Sequence, residues 1–525
     1  MTETTCRLAR RDWLLMGLLV VAALAIRLWF MQYFRVISAD GIAYVDIARD
    51  IMTGQGLARA THYPPFYPLL VGGVASLVGD YELAGQLVSI VMGSLLAVPL
   101  YLLGREFFAW RVALLAGVLT IVWPSLRGWS NEVMSQATYI TLMLLGVYWL
   151  WFAVTRRSAL AAIAGGVALA LAHLTRSEGV LVFAAVSAVI LVGIVRRKFP
   201  VGAFRLLLLS WGSFWVAFAP YFFALHHYTG NWALTGKTRI ALADGLSYYL
   251  QRPDLKLDPH FAAVGYLDLF REYPGYLWHN LGNNSRDCLE QLLPPLLWML
   301  ALLGGVIGWR GESVLLRRGY LLATFAPLAV IILFFFIGPE YTQPYLPVLL
   351  LFAAHGMVWL EGRFADRFGS RRLAPFSAGA VGGALVLIYA GYLVAAQLPA
   401  DRGQPYNYTQ DGGRYDDKLV GLRLRTLLPR GTMIMTRSGR VGFYSGHPYV
   451  LPPQADVAEI IAFAREHRVD YLVANLQLLS ARPQLESLFA PLFNAGRPSF
   501  QPPSLELVYL GQEPGGLPYL VYRFR

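Results

Sequence analysis

WLLMGLLVVAALAIRLWFMQYF, residues 13–34, is an apolar run interrupted by one charge, Arg27. A helix needs roughly 20 apolar residues to cross about 30 Å of hydrocarbon, so this run is long enough to span a bilayer. A cleavable leader would have a core of about 7–15 residues and a small-residue cleavage site. Neither is present here, and the run reads as a first span that stays. Similar runs recur as far as about Leu398, about eleven in all. Composition agrees: 56% of residues are hydrophobic, 14% are charged, and mean hydropathy is +0.48. These values lie outside the usual range of soluble domains. The expected fold class is mainly α, a polytopic transmembrane helix bundle.

The net charge of +12 would suit a nucleic-acid partner if it were gathered on one surface. Instead the basic residues stand in short clusters between spans, among them Arg7, Arg10 and Arg11, then Arg105 and Arg111, Arg196 to Lys198, and Arg310 to Arg318. They occupy every second connection, which puts those connections and the N-terminus in the cytoplasm and everything after about Leu398 outside. No nucleic-acid partner is expected; the chain is expected in the cell inner membrane, with membrane lipids around it. Cys6 then lies inside and Cys288 near the outer end of a span, so no disulfide or cysteine metal site is expected.

Four outward segments are longer or more polar than a connection requires: 35–80, 127–132, 226–288 and 399–525. The last begins with a polar, turn-rich linker, DRGQPYNYTQDGGRYDDK (401–418). Beyond it, helix-like DDKLVGLRLRTLL and ADVAEIIAFAREH alternate with strand-like GTMIMTR and VDYLVAN. A further helix around Pro483 to Asn494 and the strands LELVYLG and LPYLVYRF follow. The expected organisation is therefore a membrane module, 1–398, and a small outward α/β domain, 399–525. The membrane module carries surface helices in 35–80 and a long outer loop at 226–288. The α/β domain has no phosphate-binding glycine pattern and no nucleophile elbow, which suits a lid or an acceptor-docking part.

Directly after the first span comes SADGIAYVDIARD, Ser38 to Asp50, with three aspartates in a chain poor in acids. On a helical projection Asp46, Arg49, Asp50 and Thr53 form a polar stripe. Asp40 instead lines up with Tyr44, Ile47 and Ile51 at the start of the apolar face. A carboxylate turned toward a membrane bundle is costly unless it is paired or has a chemical task, so Asp40 is the site candidate. The alternative is that Asp40 only caps the helix. THYPPFYPLL follows, its adjacent prolines expected to end one surface helix and start another with His62 and Tyr63 at the corner. Tyr67 fits an interfacial aromatic belt as well as a site.

These residues carry a resemblance. Arg27 in the outer half of the first span, DGIAYVDIARDIMTGQG, YPPFYPLLVGGVASLVG, SNEVMSQATYITLMLLG, HLTRSEGVLVF and YTQPYLPVLLL appear in that order, with VGFYSG and VDYLVAN in the tail. The series resembles the GT-C glycosyltransferases of the bacterial protein-O-mannosyltransferase-like superfamily, which includes the lipid A aminoarabinose and galacturonic acid transferases. The resemblance implies sugar transfer outside the membrane, from a polyprenyl-phosphate-linked donor to a hydroxyl acceptor on a lipid, glycan or protein, with inversion. Asp40 matches the family's catalytic aspartate. Many relatives place Glu after it, whereas this chain has Gly41, so the second carboxylate of a metal site is missing and neither metal nor other cofactor is expected.

Such chemistry needs a base at the acceptor oxygen and cations at the leaving phosphate. Lys237, one of only four lysines, and Arg239 on the outer loop suit the phosphate, as do Arg176 and His62; a solvated loop pair is the alternative for the first two. Glu178 and Thr175 fit an S/T-x-x-E capping box, so Glu178 has a structural as well as a site reading. Glu132 likewise suits the first turn of a helix by its charge, or the cavity. Tyr63 and Tyr341 are expected to line the cavity, while Glu340, where relatives carry Arg, receives no phosphate role. A transporter or flippase of lipid-linked sugars, or an inactive scaffold, would share this fold. The charges at loop ends rather than at mid-span favour the enzyme; Arg27 is the exception and is expected to snorkel outward.

Overall fold

The computed structural model describes residues 8–251, 265–335, 341–368, 391, 415–493, 503–513 and 517–525. The chain divides into two compact units, one of residues 1–30 and 44–398, the other of residues 31–43 and 399–525.

The larger unit is helical. Its helices are α1 (Arg10–Met31), α2 (Ala39–Met52, which runs through the division at 43/44), α3 (Phe66–Val78), α4 (Tyr81–Leu95), α5 (Ala97–Phe107), α6 (Trp110–Val122), α7 (Pro124–Asn131), α8 (Gln136–Arg156), α9 (Ala159–His173), α10 (Gly179–Val195), α11 (Ala203–Thr229) and α12 (Lys237–Tyr249). They continue with α13 (Tyr266–Glu272), α14 (Pro274–Gln291), α15 (Pro295–Val306), α16 (Glu312–Phe335) and α17 (Leu346–Phe368). Among the described residues six helical stretches are long and apolar enough to cross a membrane, with α4 and α5 forming one of them. The number rises to eight if each of two bent pairs is one span, α6 with α7 at 57° and α14 with α15 at 102°. Three shorter apolar helices, α3, α9 and α10, accompany them. The expected run ending near Leu398 lies outside the described residues.

Helices immersed in lipid gain little from apolar burial alone and are held by close packing and by hydrogen bonds across the interfaces. Such bonds are present: the Tyr320 hydroxyl on α16 donates to the Val147 carbonyl of α8 (2.9 Å), and the Thr141 hydroxyl on α8 to the Met92 carbonyl of α4 (2.8 Å). Arg27 does not snorkel. It is 1% exposed, and its guanidinium reaches back one turn to the Ala23 carbonyl (3.3 Å), because α1 packs its Arg27 face inward.

The smaller unit is a mixed five-stranded sheet of β1 (Ile434–Thr436), β2 (Tyr449–Val450), β3 (Tyr471–Asn475), β4 (Leu505–Gly511) and β5 (Tyr519–Phe524), in the order β2-β1-β3-β5-β4. β1 runs parallel to β2 and β3; β5 is antiparallel to β3 and β4. Its helices are α18 (Tyr415–Leu427), α19 (Gly439–Ser445), α20 (Val457–Glu466), α21 (Leu476–Ala481) and α22 (Ala490–Phe493). Alternate residues of β3 point to opposite faces. Leu472 and Ala474 join Ile460, Leu485 and Phe489 in one core, while Val473 joins Val420, Leu424 and Val441 in the other. The short α19, β2 and α21 escape a reading by periodicity, being too brief to complete a pattern.

Candidate active site

Helix α2 forms as its pattern requires, with Tyr44, Val45, Ile47 and Ala48 buried. On the opposite face Asp46 and Asp50 are engaged by arginines: Arg49 and Arg59 reach Asp46 at 3.4 and 3.9 Å, and Arg59 reaches Asp50 at 3.3 Å. The helix ends at Gly54 and Gly56, both with positive φ, and not at the prolines, which come ten residues later and start α3. Its N-terminal cap is Ser38, whose hydroxyl accepts the Gly41 N–H (3.0 Å). Asp40, half-buried in the first turn, is not the cap residue; one residue type suffices for that task and serine holds it.

Tyr44 opens an aromatic cluster in the larger unit. Its ring meets Tyr63 and Tyr67 edge-on, each at 5.0 Å, and its hydroxyl pairs with Ser135 at 2.7 Å. His62 packs edge-on against Tyr63 at 4.6 Å. Tyr67 is no belt residue: it is fully buried, with its hydroxyl on Gly85 O (3.1 Å) and Ser89 Oγ (2.9 Å). A phenol on α3 that finds two partners on α4 is held in the core rather than at an interface.

Three charged side chains gather beside this cluster. The Lys237 ammonium lies 5.6 Å from the centroids of both Tyr63 and Tyr341, and the Arg176 guanidinium lies 5.4 Å from Tyr341. Both distances are in the cation–π range. Arg176 also pairs with Glu178 at 2.9 Å, the arginine buried and the glutamate side chain only 10% exposed. Burial by itself pushes the Glu178 carboxyl up, but the neighbouring Arg176 and Lys237 charges outweigh it and hold the group below the usual carboxylate range. The capping box expected of Thr175 and Glu178 is absent. The Thr175 hydroxyl turns back to Leu171 O (2.7 Å), and the Glu178 carboxylate faces Arg176. Nor is Lys237 a solvated loop residue: it is half-buried at the start of α12. The preceding Gly236 passes so close to the Thr61 carbonyl that a side chain there would collide with it. The side chain of Arg239 and the whole of Glu340 lie outside the described residues.

Glu132 is 4% exposed and sits in the connection between α7 and α8 with extended backbone. It is thus not in a first helical turn, because α8 starts four residues later at Gln136, and the helix dipole does not account for it. Two residues escape a reading from sequence alone. Arg127 on α7 is buried with its guanidinium 3.2 Å from the Phe30 ring centroid. His173 ends α9 with one ring nitrogen 3.1 Å from Ser177 O and the other 3.0 Å from Leu234 O. A lone histidine on an apolar helix carries no sequence signal, since its partners are carbonyls. Among the described residues no group of three or more His, Cys, Asp or Glu side chains is placed to hold a metal ion.

The arrangement, an ion pair with an added lysine walled by tyrosines, carries one net positive charge and is chemically suited to an anion. Comparison with known proteins shows what the chain is similar to. The family described as dolichyl-phosphate-mannose-protein mannosyltransferase matches residues 62–220. No curated protein matches the chain. The fold is shared with ArnT from Cupriavidus metallidurans, solved bound to undecaprenyl phosphate (TM-score 0.55, 16% identity, 98% of each chain covered) and in the apo state (0.60, 15%, 98% of each). It is shared also with the archaeal oligosaccharyltransferase AglB from Archaeoglobus fulgidus, solved with an inhibitory peptide and a dolichol-phosphate (0.61, 13%, 89% of this chain and 70% of that one). The likeness to these glycosyltransferase structures is one of fold. It is a polytopic membrane protein, mostly helical with a small sheet.

Proposed function

We propose that this protein transfers a sugar, hexose or pentose, from a polyprenyl-phosphate donor to a hydroxyl of a lipid, glycan or protein, on the extracytoplasmic side of the inner membrane. In this reading the N-terminus is cytoplasmic and the α/β domain extracytoplasmic. The observation that carries the reading is the Arg176–Glu178 pair with Lys237 beside it between Tyr63 and Tyr341. The solved ArnT binds undecaprenyl phosphate and the solved AglB a dolichol-phosphate, so a polyprenyl phosphate is the anion that fits best.

In the reaction the acceptor oxygen attacks the anomeric carbon from the face opposite the phosphate and inverts it. The bond from that carbon to the phosphate oxygen breaks, and the electron pair leaves with the polyprenyl phosphate. Asp40, as general base, takes the hydroxyl proton, a role worth about 10²–10⁴ in rate. Lys237, Arg176 and Arg239, with His62, face the phosphate, where negative charge grows as the bond breaks. Glu132, Glu178, Tyr63 and Tyr341 contact sugar or acceptor hydroxyls. Arg176 thus serves the phosphate on one side while its contact with Glu178 sets its orientation.

The test is purified protein in detergent or liposomes with polyprenyl-phosphate sugars, comparing wild type with Asp40→Asn. The variant is expected to bind donor as tightly as wild type and to lose transfer by about 10²–10⁴-fold. Transfer at the wild-type rate would eliminate Asp40 as base; no transfer by wild type with any such donor would remove the reading itself.

A further inference from the structure

The backbone that leads into Asp40 is gripped by residues 403 and 407 positions away. In the smaller unit the Tyr444 hydroxyl accepts the Ile37 N–H (2.8 Å), and the Arg440 guanidinium donates to the Ile37 carbonyl (2.9 Å). Both polar groups of one residue are therefore taken by one short helix, α19. Two residues earlier the Lys418 ammonium donates to the Arg35 carbonyl (2.6 Å) and lies 4.5 Å from the Tyr444 ring centroid. Ile37 itself is buried, as are Tyr444 and Arg440. A helix would bond these backbone groups internally and a strand to its neighbour; here side chains of the α/β fold do so, one residue ahead of the cap Ser38 and three ahead of Asp40.

The grip is anchored. Ser438, which precedes α19, donates to the fully buried carboxylate of Asp417 on α18 (2.6 Å). Gly421 on α18 lets α19 approach so closely that a methyl group there would meet Tyr444 Cβ at 2.7 Å. Tyr444 and Arg440 thus project from a helix that is fixed in turn by its neighbour and by the sheet, the condition under which a supporting side chain transmits position.

We infer that Tyr444 and Arg440 are positioning residues for the base: the C-terminal α/β fold sets the entry of α2, and with it the Asp40 carboxylate, for proton abstraction. This rests on the role proposed for Asp40. It assigns the α/β fold a part in the chemical step that a lid or an acceptor dock does not have. Neither residue needs to touch substrate, since each acts through the Ile37 peptide groups.

The experiment uses the full-length protein. Tyr444→Phe removes one oxygen and keeps the ring. Two quantities are read: amide hydrogen exchange of the segment Ile37–Gly41, and kcat and donor KM for a polyprenyl-phosphate sugar. The expected result is about tenfold faster exchange confined to that segment and about tenfold lower kcat at unchanged donor KM, the size of one lost hydrogen bond. Arg440→Gln, which keeps a donor for the Ile37 carbonyl, is expected to retain more kcat than Arg440→Ala. Tyr444→Phe placed on Asp40→Asn is expected to cost nothing further, because the base it positions is gone. Unchanged exchange at Ile37–Gly41 in Tyr444→Phe overturns the grip. Faster exchange with unchanged kcat overturns its part in catalysis. If Asp40→Asn is itself fully active, the proposed reaction chemistry has failed rather than the grip, which the exchange measurement still reads.

Discussion

Two clusters of largely sequestered charge in the helical unit resemble each other in composition and differ in closure. At the start of α1 the Asp12 carboxylate is inaccessible to solvent and accepts from the Ala9 N–H (2.8 Å), the Tyr101 hydroxyl (2.8 Å), and Arg105 through Nε (2.8 Å) and Nη2 (3.3 Å). Charge balances and both oxygens have two donors, which is what a buried ion pair needs to offset its desolvation. In the second cluster Arg176 meets Glu178 through one nitrogen at 2.9 Å, and Lys237 adds a second cation, so these three groups sum to one positive charge. A closed cluster joins helices, here α1 to α5. An open one with excess charge has capacity for an anion, and that difference separates a strut from the proposed binding site when the residue types are alike.

The comparison breaks if the two respond alike to truncation. Asp12→Ala leaves Arg105 without its carboxylate, and the expected loss is about 3–5 kcal/mol of stability. Thermal unfolding in detergent is expected to show it, with the folded fraction turning over at the wild-type rate. Reduced turnover at unchanged melting would make the Asp12 cluster functional and void the contrast. Lys237→Ala is expected to do the reverse. It leaves the Arg176–Glu178 pair intact, so melting stays put, while donor KM rises about ten- to a hundredfold for the loss of one charge-assisted contact. An unchanged KM, or an unchanged thermal shift with polyprenyl phosphate, would remove Lys237 from the site.

Much of the larger architecture is legible in the sequence because the signals are long. Spans of about 20 apolar residues and the amphipathic stripe of α2 with Tyr44 and Ile47 inside persist over several turns, and β3 and β5 are apolar runs bounded by turn formers. Of the charged candidates, Arg176, Glu178 and Lys237 stand out in sequence because charges are scarce in this chain, and they do converge, together with Tyr63 and Tyr341. What sequence misses is relational. Thr175 and Glu178 spell a capping box, yet Glu178 is drawn to Arg176, a charge-assisted bond that outcompetes a backbone amide. Tyr67 has the look of a belt aromatic until α4 supplies its hydroxyl with partners. The bonds from Tyr444 and Arg440 to Ile37 join residues about 400 positions apart through backbone groups, which every residue has and no motif encodes.

His173 offers the finest test of the open cluster. Its ring lies between the carbonyls of Ser177 and Leu234, yet a neutral imidazole carries one hydrogen and can donate to only one of them. The tautomer with hydrogen on Nδ1 closes the turn that carries Arg176; the tautomer with hydrogen on Nε2 ties down the loop that leads to Lys237. An asparagine amide reproduces a donor near the first position and a glutamine amide near the second. If tethering Leu234 is what keeps Lys237 between its two tyrosines, His173→Gln holds donor KM close to wild type, while His173→Asn raises it about fivefold, within the range for one neutral hydrogen bond. Equal KM values for the two variants would mean that the ring serves only packing, against Phe214 and Phe218. The opposite order would shift the weight of the proposed site from Lys237 to the Arg176 turn, and with it the group proposed to contribute most to holding the phosphate.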